Sequence, residues 1–289
     1  MNTIPTWVNK GLYPFESRFA TIDNHRIHYV DEGQGELLLF VHGTPEWSFG
    51  FRDLIKNLRG QFRCIAIDLL GFGLSDKPKV NDYTCAGHAL RLKKFIEQLE
   101  LKNFSIVAND FGGSISMSYV IDNTSNINKV ILFNTWMRSL KDDKHYQGPA
   151  RILNTLLGKF LYLNMNLPVN VIMPAAYGDK RKLTKEVHAH YKNALPKGER
   201  QATYAFALEI SRANTWWENI WNKIDRLNNR SFLFFWGMKD KFVPPFELEN
   251  WKSKLPGSTY VPYDDAGHFV QEEKGDEMSN VIREFITKG

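Results

Sequence analysis

The hydrophobic pattern along the chain falls into two regimes. Residues 18–23 and 26–31 read as two short strands, and the Asp23-Asn24 pair between them predicts a hairpin turn. After the break at Gly33-Gln34-Gly35, residues 37–41, 64–68, 104–108 and 130–133 are apolar runs of the kind found in strands covered on both faces. Between and after these runs, 47–58, 86–99 and 112–121 carry apolar side chains at helical spacing. In 86–99 the stripe is Ala89, Leu90, Leu92, Phe95, Ile96 and Leu99. Strand and helix alternating in this way predict a parallel sheet with right-handed crossovers. The rhythm then stops. Residues 137–228 show helical segments and no strand, after which 231–236 and 259–261 read as strands and 272–287 as a closing helix. The helical stretch is too long for a loop and reads as an insertion. The expected organisation is a core of 1–136 and 229–289, with a helical cap of 137–228 over the carboxyl ends of the strands, where open α/β sheets bind ligands.

Composition narrows the class. Of 289 residues, 43% are hydrophobic and 24% charged, which excludes a disordered chain. Two cysteines exclude a disulfide framework; Cys64 and Cys85 are expected to be buried and reduced, which suits a cytoplasmic protein. The net charge of +5 raises the question of an acidic partner. The basic residues are scattered, however, and the denser runs at 180–182 and 226–230 lie beside Asp179 and Asp225. They are read as solvated faces, with no nucleic-acid partner expected. No apolar run is long enough to span a membrane, and the opening from Met1 to Trp7 lacks the form of a secretion signal. His188 and His190, two apart on a predicted helix, point to different faces, so no metal site and no cofactor is expected.

The chemistry concentrates where predicted strands end. Val107-Ala108-Asn109-Asp110-Phe111-Gly112-Gly113 leaves a buried strand and opens a helix, with small residues two before and two after Asp110. That is the spacing of a nucleophile elbow, in which a strained turn holds the central side chain clear and tolerates no bulk beside it. Taken alone, Asp110 fits a helix N-cap equally well. His42-Gly43-Thr44-Pro45 follows the 37–41 strand, where an oxyanion-hole donor would sit. Asp240, in Gly237-Met238-Lys239-Asp240, follows the next-to-last strand, and His268, in Ala266-Gly267-His268-Phe269, follows the last. Singly, these are a turn, a turn residue and a loop histidine. Together they give nucleophile, acid and histidine in chain order.

These motifs, with Tyr29-Val30-Asp31-Glu32-Gly33, Trp47-Ser48-Phe49 and Asp68 through Gly71-Phe72-Gly73-Leu74-Ser75-Asp76-Lys77-Pro78, resemble the α/β-hydrolase superfamily, and within it the haloalkane dehalogenase and epoxide hydrolase branch. The resemblance implies a mostly parallel eight-stranded sheet flanked by helices, with an inserted helical cap. It implies a hydrolase acting on a small apolar substrate through Asp110 as nucleophile and His268 as base, with Asp240 as the acid and an oxyanion hole formed by the N–H groups of Thr44 and Phe111. In a second dehalogenase group the acid ends the strand before the cap; Asn134 holds that place here. The halide-binding Trp and Asn of the branch are replaced by Phe111 and Thr44. Trp136, Trp216, Trp217 and Trp221 lie in or near the cap and each could supply an indole N–H, although apolar packing is the commoner role of such a ring; Trp136, Trp216 and Trp217 are taken as the candidate substrate-binding donors. An epoxide hydrolase would use cap tyrosines, for which Tyr146, Tyr162, Tyr177, Tyr191 and Tyr204 are available. A β-lactone decarboxylase and a non-catalytic ligand-binding protein stay open, and the oligomeric state is undetermined.

Overall fold

The computed structural model describes residues 4–288. Met1, Asn2 and Thr3 of the opening segment, and Gly289 at the end of the expected core, lie outside it. The strands are β1 (Arg18–Ile22), β2 (His25–Glu32), β3 (Glu36–Val41), β4 (Phe62–Ile67), β5 (Phe104–Asn109), β6 (Ile127–Phe133), β7 (Ser231–Gly237) and β8 (Thr259–Tyr263). They form one eight-stranded sheet in the order β1-β2-β4-β3-β5-β6-β7-β8. The β2 strand is antiparallel to β1 and β4, and the remaining pairs are parallel. Asp23 and Asn24, at φ of 52° and 63°, make the hairpin turn, since consecutive left-handed residues match the twist of the flanking strands.

The helices are α1 (Arg52–Leu58), α2 (Cys85–Gln98), α3 (Asp110–Asp122), α4 (Lys144–Leu153), α5 (Leu156–Leu163), α6 (Met173–Ala176), α7 (Lys185–Ala194), α8 (Gln201–Arg212), α9 (Asn214–Trp221), α10 (Pro245–Lys254), α11 (Val270–Glu273) and α12 (Gly275–Thr287). Three differ from the sequence reading. The predicted 47–58 helix begins as a 3₁₀ turn over Ser48–Phe51. The closing helix is two, broken at Lys274, and it starts at Val270. The third, α10, was not foreseen because Pro244-Pro245 reads as a breaker. Pro245 occupies the first helical position, where a missing N–H costs nothing.

Because side chains alternate along a strand, the central strands feed two cores. Leu39, Val41, Ile106, Ala108, Leu132 and Phe234 pack on one face of the sheet with α2 and α3. Leu38, Phe40, Val107, Ile131, Phe133 and Phe235 pack on the other with α1 and α12. Helices between β6 and β7 join both cores: Phe206 and Trp217 enter the first, Met173, Tyr177 and Tyr191 the second. Both cysteines are buried and free. Among the described residues no helix is long and apolar enough to cross a membrane. Lys180, Arg181 and Lys182 form an exposed turn, with Arg181 on Asp179 at 2.8 Å.

The register places the ends of β3, β5, β6, β7 and β8 along one edge, with Val41 beside Ala108, Asn109 beside Phe133, Phe133 beside Phe235, and Gly237 beside Tyr263. The loops that carry His42 to Thr44, Asp110, Asp240 and His268 therefore leave from the same edge.

Candidate active site

Asp110 sits between β5 and the body of α3 at φ 50°, a conformation disfavoured for a residue with a Cβ. The elbow is held by close approach. A Cβ on Gly112 would lie 2.2 Å from the Val41 carbonyl oxygen, and one on Gly113 2.1 Å from Thr135 Oγ1. The same holds across the cleft, where a Cβ on Gly43 would lie 2.2 Å from Asp110 Oδ1. Small residues are required because two loops and the Asp110 carboxylate share one van der Waals layer. His42 stiffens its loop: Nδ1 donates to the Gly43 carbonyl at 2.6 Å, and Nε2 accepts from Leu69 N–H at 2.9 Å. That arrangement suits a neutral ring, and burial lowers its pKa.

The structure brings Asp110, Asp240 and His268 together. His268 Nδ1 donates to Asp240 Oδ2 at 2.7 Å, and Nε2 lies 3.4 Å from Asp110 Oδ2. The other Asp110 oxygen, Oδ1, accepts from the Thr44 backbone N–H at 2.9 Å. Asp240 is fully engaged. Its Oδ1 accepts from the N–H groups of Phe242 and Val243, and Oδ2 accepts from Asn134 Nδ2 at 2.8 Å as well as from His268. Asn134, at the position of the alternative acid, therefore joins the Phe242 and Val243 N–H groups in holding Asp240. Burial acts to lower the His268 pKa, but the Asp240 charge and the contact with Asp110 outweigh it and hold the imidazolium well above the ordinary histidine range.

The His268 loop is pinned by its own neighbours. Gly267 is packed so closely that a Cβ would meet the Ala176 carbonyl oxygen at 2.1 Å. His268 N–H donates to that oxygen at 2.8 Å. Glu273 accepts from Gly267 and Gly178 N–H through Oε1 and from Asp179 N–H through Oε2. It thereby straps the loop to the segment after α6.

A cavity of about 390 Å³ opens above Asp110, lined by Thr44, Phe111, Trp136, Tyr146, Tyr162 and His268 among largely aliphatic neighbours. Its wall is that of a site for an apolar ligand with few polar contacts. The three tryptophans separate here. Trp136 lines the cavity, and its Nε1–H is buried without a partner. Trp217 stands behind it, ring centroids 5.5 Å apart, its Nε1–H also unpaired, and contributes no lining. Trp216 corrects the sequence expectation: it faces a shallow outer groove beside α2 and α3, away from Asp110. Adjacent positions on a helix point about 100° apart, so only one of this pair can face inward. Thr44 Oγ1 also lacks a hydrogen bond. Phe111 stacks on Phe206 at 4.6 Å and meets Trp136 edge-on at 4.9 Å.

The five tyrosines sort likewise. Tyr146 donates to Glu247, Tyr191 to Glu272 and Tyr204 to the Leu153 carbonyl, while Tyr177 is buried outside the cavity lining. Tyr162 lines the cavity with no recorded hydrogen bond at its hydroxyl, and its pKa is raised by burial and by the Asp110 charge.

Beneath the site, Glu46 went unnoticed in the sequence, and Asn109 was read only as a member of the elbow. Glu46 is fully buried, accepting from Asn109 Nδ2 and from Gln271 Nε2 at 2.6 Å, and burial pushes its pKa up to about 8. The available signal was a carboxylate directly after Pro45, inside an otherwise apolar stretch. Asn109 in turn precedes Asp110, so this pair ties the elbow to the helix following His268. Among the described residues no group of three His, Cys, Asp or Glu side chains could hold a metal ion.

Comparison with known proteins agrees in fold and family. The family profile described as "alpha/beta hydrolase fold" matches residues 36–275. The chain is 33% identical over 276 residues to haloalkane dehalogenase 2 of Mycobacterium tuberculosis, covering 94% of this chain and 96% of that protein. It is 30% identical over 289 residues to a cis-3-alkyl-4-alkyloxetan-2-one decarboxylase of Shewanella oneidensis, covering 96% and 90%. The crystal structure of haloalkane dehalogenase DatA from Agrobacterium tumefaciens C58 superposes with a TM-score of 0.85 at 18% identity, covering 97% and 99%.

Proposed function

Because the chain belongs to the α/β-hydrolase family, as an enzyme resembling its haloalkane dehalogenases, we propose that it displaces a leaving group from an sp³ carbon of a small apolar substrate, with Asp110 as nucleophile. The observation that carries this reading is the two-sided environment of the Asp110 carboxylate. Thr44 N–H fixes Oδ1, leaving Oδ2 toward the cavity and His268. Oδ2 attacks carbon, the carbon–leaving-group bond breaks with its electron pair, and an alkyl ester of Asp110 forms. His268 then takes a proton from water, and the hydroxide adds to the Asp110 carbonyl carbon. The oxyanion develops on Oδ1, where Thr44 N–H already points, with Phe111 N–H as the second donor. Collapse expels the alkoxide, which takes the proton from His268; the Asp110 carboxylic acid left behind passes its own proton through the freed imidazole to solvent, so that the carboxylate is restored and one proton is released with each halide. Asp240, held by Asn134 and two backbone N–H groups, orients the ring throughout. Residues 137–228 serve as the cap that closes the cavity.

The leaving group is a halide, received by Trp136 Nε1–H and Thr44 Oγ1–H. Both are buried donors without a partner in the lining of the Asp110 cavity, and a buried donor left unmade is costly unless a ligand completes it. Trp136→Phe keeps the ring and deletes the donor. A hydrogen bond to an anion contributes about 1.5–3 kcal/mol, so bromide release from a 1-bromoalkane should fall by about 10- to 100-fold. Unchanged release in both Trp136→Phe and Thr44→Val rejects this assignment.

The free phenol of Tyr162 favours a second reading, in which the leaving oxygen of an epoxide or β-lactone takes the phenolic proton. Styrene oxide and a cis-dialkyl β-lactone assayed beside the bromoalkane separate the two, and Tyr162→Phe should then silence only the oxygen substrates.

A further inference from the structure

The surface over the cavity has the wrong polarity for water. On α5 the buried positions are Gly158 and Tyr162, while Leu156 (87% exposed), Leu157 and Phe160 face outward. Amphipathic helices of globular proteins show the reverse. Ile152, Met165 and Val171 extend the patch on the neighbouring segments, each more than half exposed. Ile152 also lines the cavity, as do Leu167, Pro168 and Ile172 beside Met165 and Val171, so the patch runs into the cavity wall.

Its charge is one-sided. From Lys144 to Gly178 the sequence has no Asp or Glu; Arg151 and Lys159 are exposed there and in no ion pair among the described residues, while Lys144 shares a groove at the edge with Asp142, Asp143 and Glu218. Arg200, half-buried beside the exposed Glu199, caps the last carbonyls of α5 at Leu163 and Asn164. A second copy of the chain on this face would set Arg151 and Lys159 against their own equivalents. An anionic lipid surface matches both features, offering hydrocarbon to the leucines and phenylalanine and phosphate to the cations. We propose that the α4–α5 face docks peripherally on anionic membranes, placing the Ile152 side of the cavity against the hydrocarbon from which an apolar substrate partitions. The docking rests on this surface alone; only its purpose rests on the proposed function.

The test is sedimentation of the full chain with vesicles of phosphatidylcholine and phosphatidylglycerol against phosphatidylcholine alone. Binding should need the anionic lipid and weaken with salt. The exposed pair Leu157→Glu with Phe160→Glu should reduce partitioning at least tenfold, and Arg151→Glu with Lys159→Glu by a similar factor, at about fivefold per basic group near a charged leaflet. Unchanged circular dichroism keeps folding out of the comparison. Asp110→Ala should bind as the parent does, so a failed reaction mechanism leaves this result intact. Absence of binding, binding equal on both lipids, or binding indifferent to both variant pairs overturns the proposal. So does a parent dimer in size-exclusion chromatography that the Leu157/Phe160 variant dissolves, which would assign the face to self-association.

Discussion

Replacing Asp110 by Asn removes one negative charge and leaves the shape almost unchanged; the ester of the proposed mechanism would remove the same charge. His268 Nε2 is 3.4 Å from Asp110 Oδ2, and its other nitrogen is 2.7 Å from Asp240 Oδ2. At an effective dielectric of about 20, a charge pair at the Asp110 distance interacts by about 5 kcal/mol, an upper figure because the amide and the loop can relax. Asp110→Asn should therefore move the His268 titration strongly downward, while Asp240 keeps the ring from losing all its support. The assay is NMR of the His268 ring nitrogens in the parent and variant across about pH 5–10. The stability consequence has a fixed sign. A histidine whose folded pKa is raised adds stability that is fully present below its unfolded pKa and fades as pH rises through the folded value. The melting temperature of the parent relative to Asp110→Asn should thus be greatest in acid and decline with pH. In the proposed mechanism, the raised His268 pKa keeps the ring protonated until esterification of Asp110 removes the neighbouring charge and frees it to act as base in the second step. Identical His268 titration in the two proteins, or a lower pKa in the parent, would refute this coupling.

Three further outcomes follow from the same geometry. His268→Gln should form the ester and fail to hydrolyse it, seen as a stoichiometric mass gain on the intact protein with a 1-bromoalkane; continued turnover would remove His268 from the second step. Gly267→Ala sets a Cβ against the Ala176 carbonyl oxygen, so the loop must shift, and kcat should fall by about 100-fold for a displacement near 1 Å while binding of a substrate analogue is largely kept. Phe111→Trp supplies the donor usual in dehalogenases but must fit between Phe206, Trp136 and Trp217. Overpacking of about 1–3 kcal/mol should lower the melting temperature and offset any gain in halide release.

Much of this was legible one residue at a time. Apolar runs such as 37–41 and 104–108 are satisfied by burial on both faces, so the central strands and their parallel direction followed from the sequence, while the strand order did not. Asp110 among small neighbours, and Asp240 and His268 on loops after strands, were legible because backbone strain and close approach restrict which residues such positions accept. Distances between loops far apart in sequence were not legible. Trp216 and Trp217 are equivalent in composition, and only helix phase against the sheet turned one toward Phe111 and the other toward α2. The tyrosines could not be ranked because their hydroxyls are sorted by partners such as Glu247 and Glu272, which lie about a hundred residues away. Glu46 became part of the site only when Asn109 and Gln271 were brought against it. The inverted face of α5 was invisible to a periodicity argument, which locates an apolar stripe but not the side from which water is excluded. The sequence alone determined the residue types and the strand ends that could carry this chemistry. The tertiary structure decided which donors remain unpaired around Asp110, because hydrogen-bond satisfaction is a property of the assembled neighbours rather than of any residue.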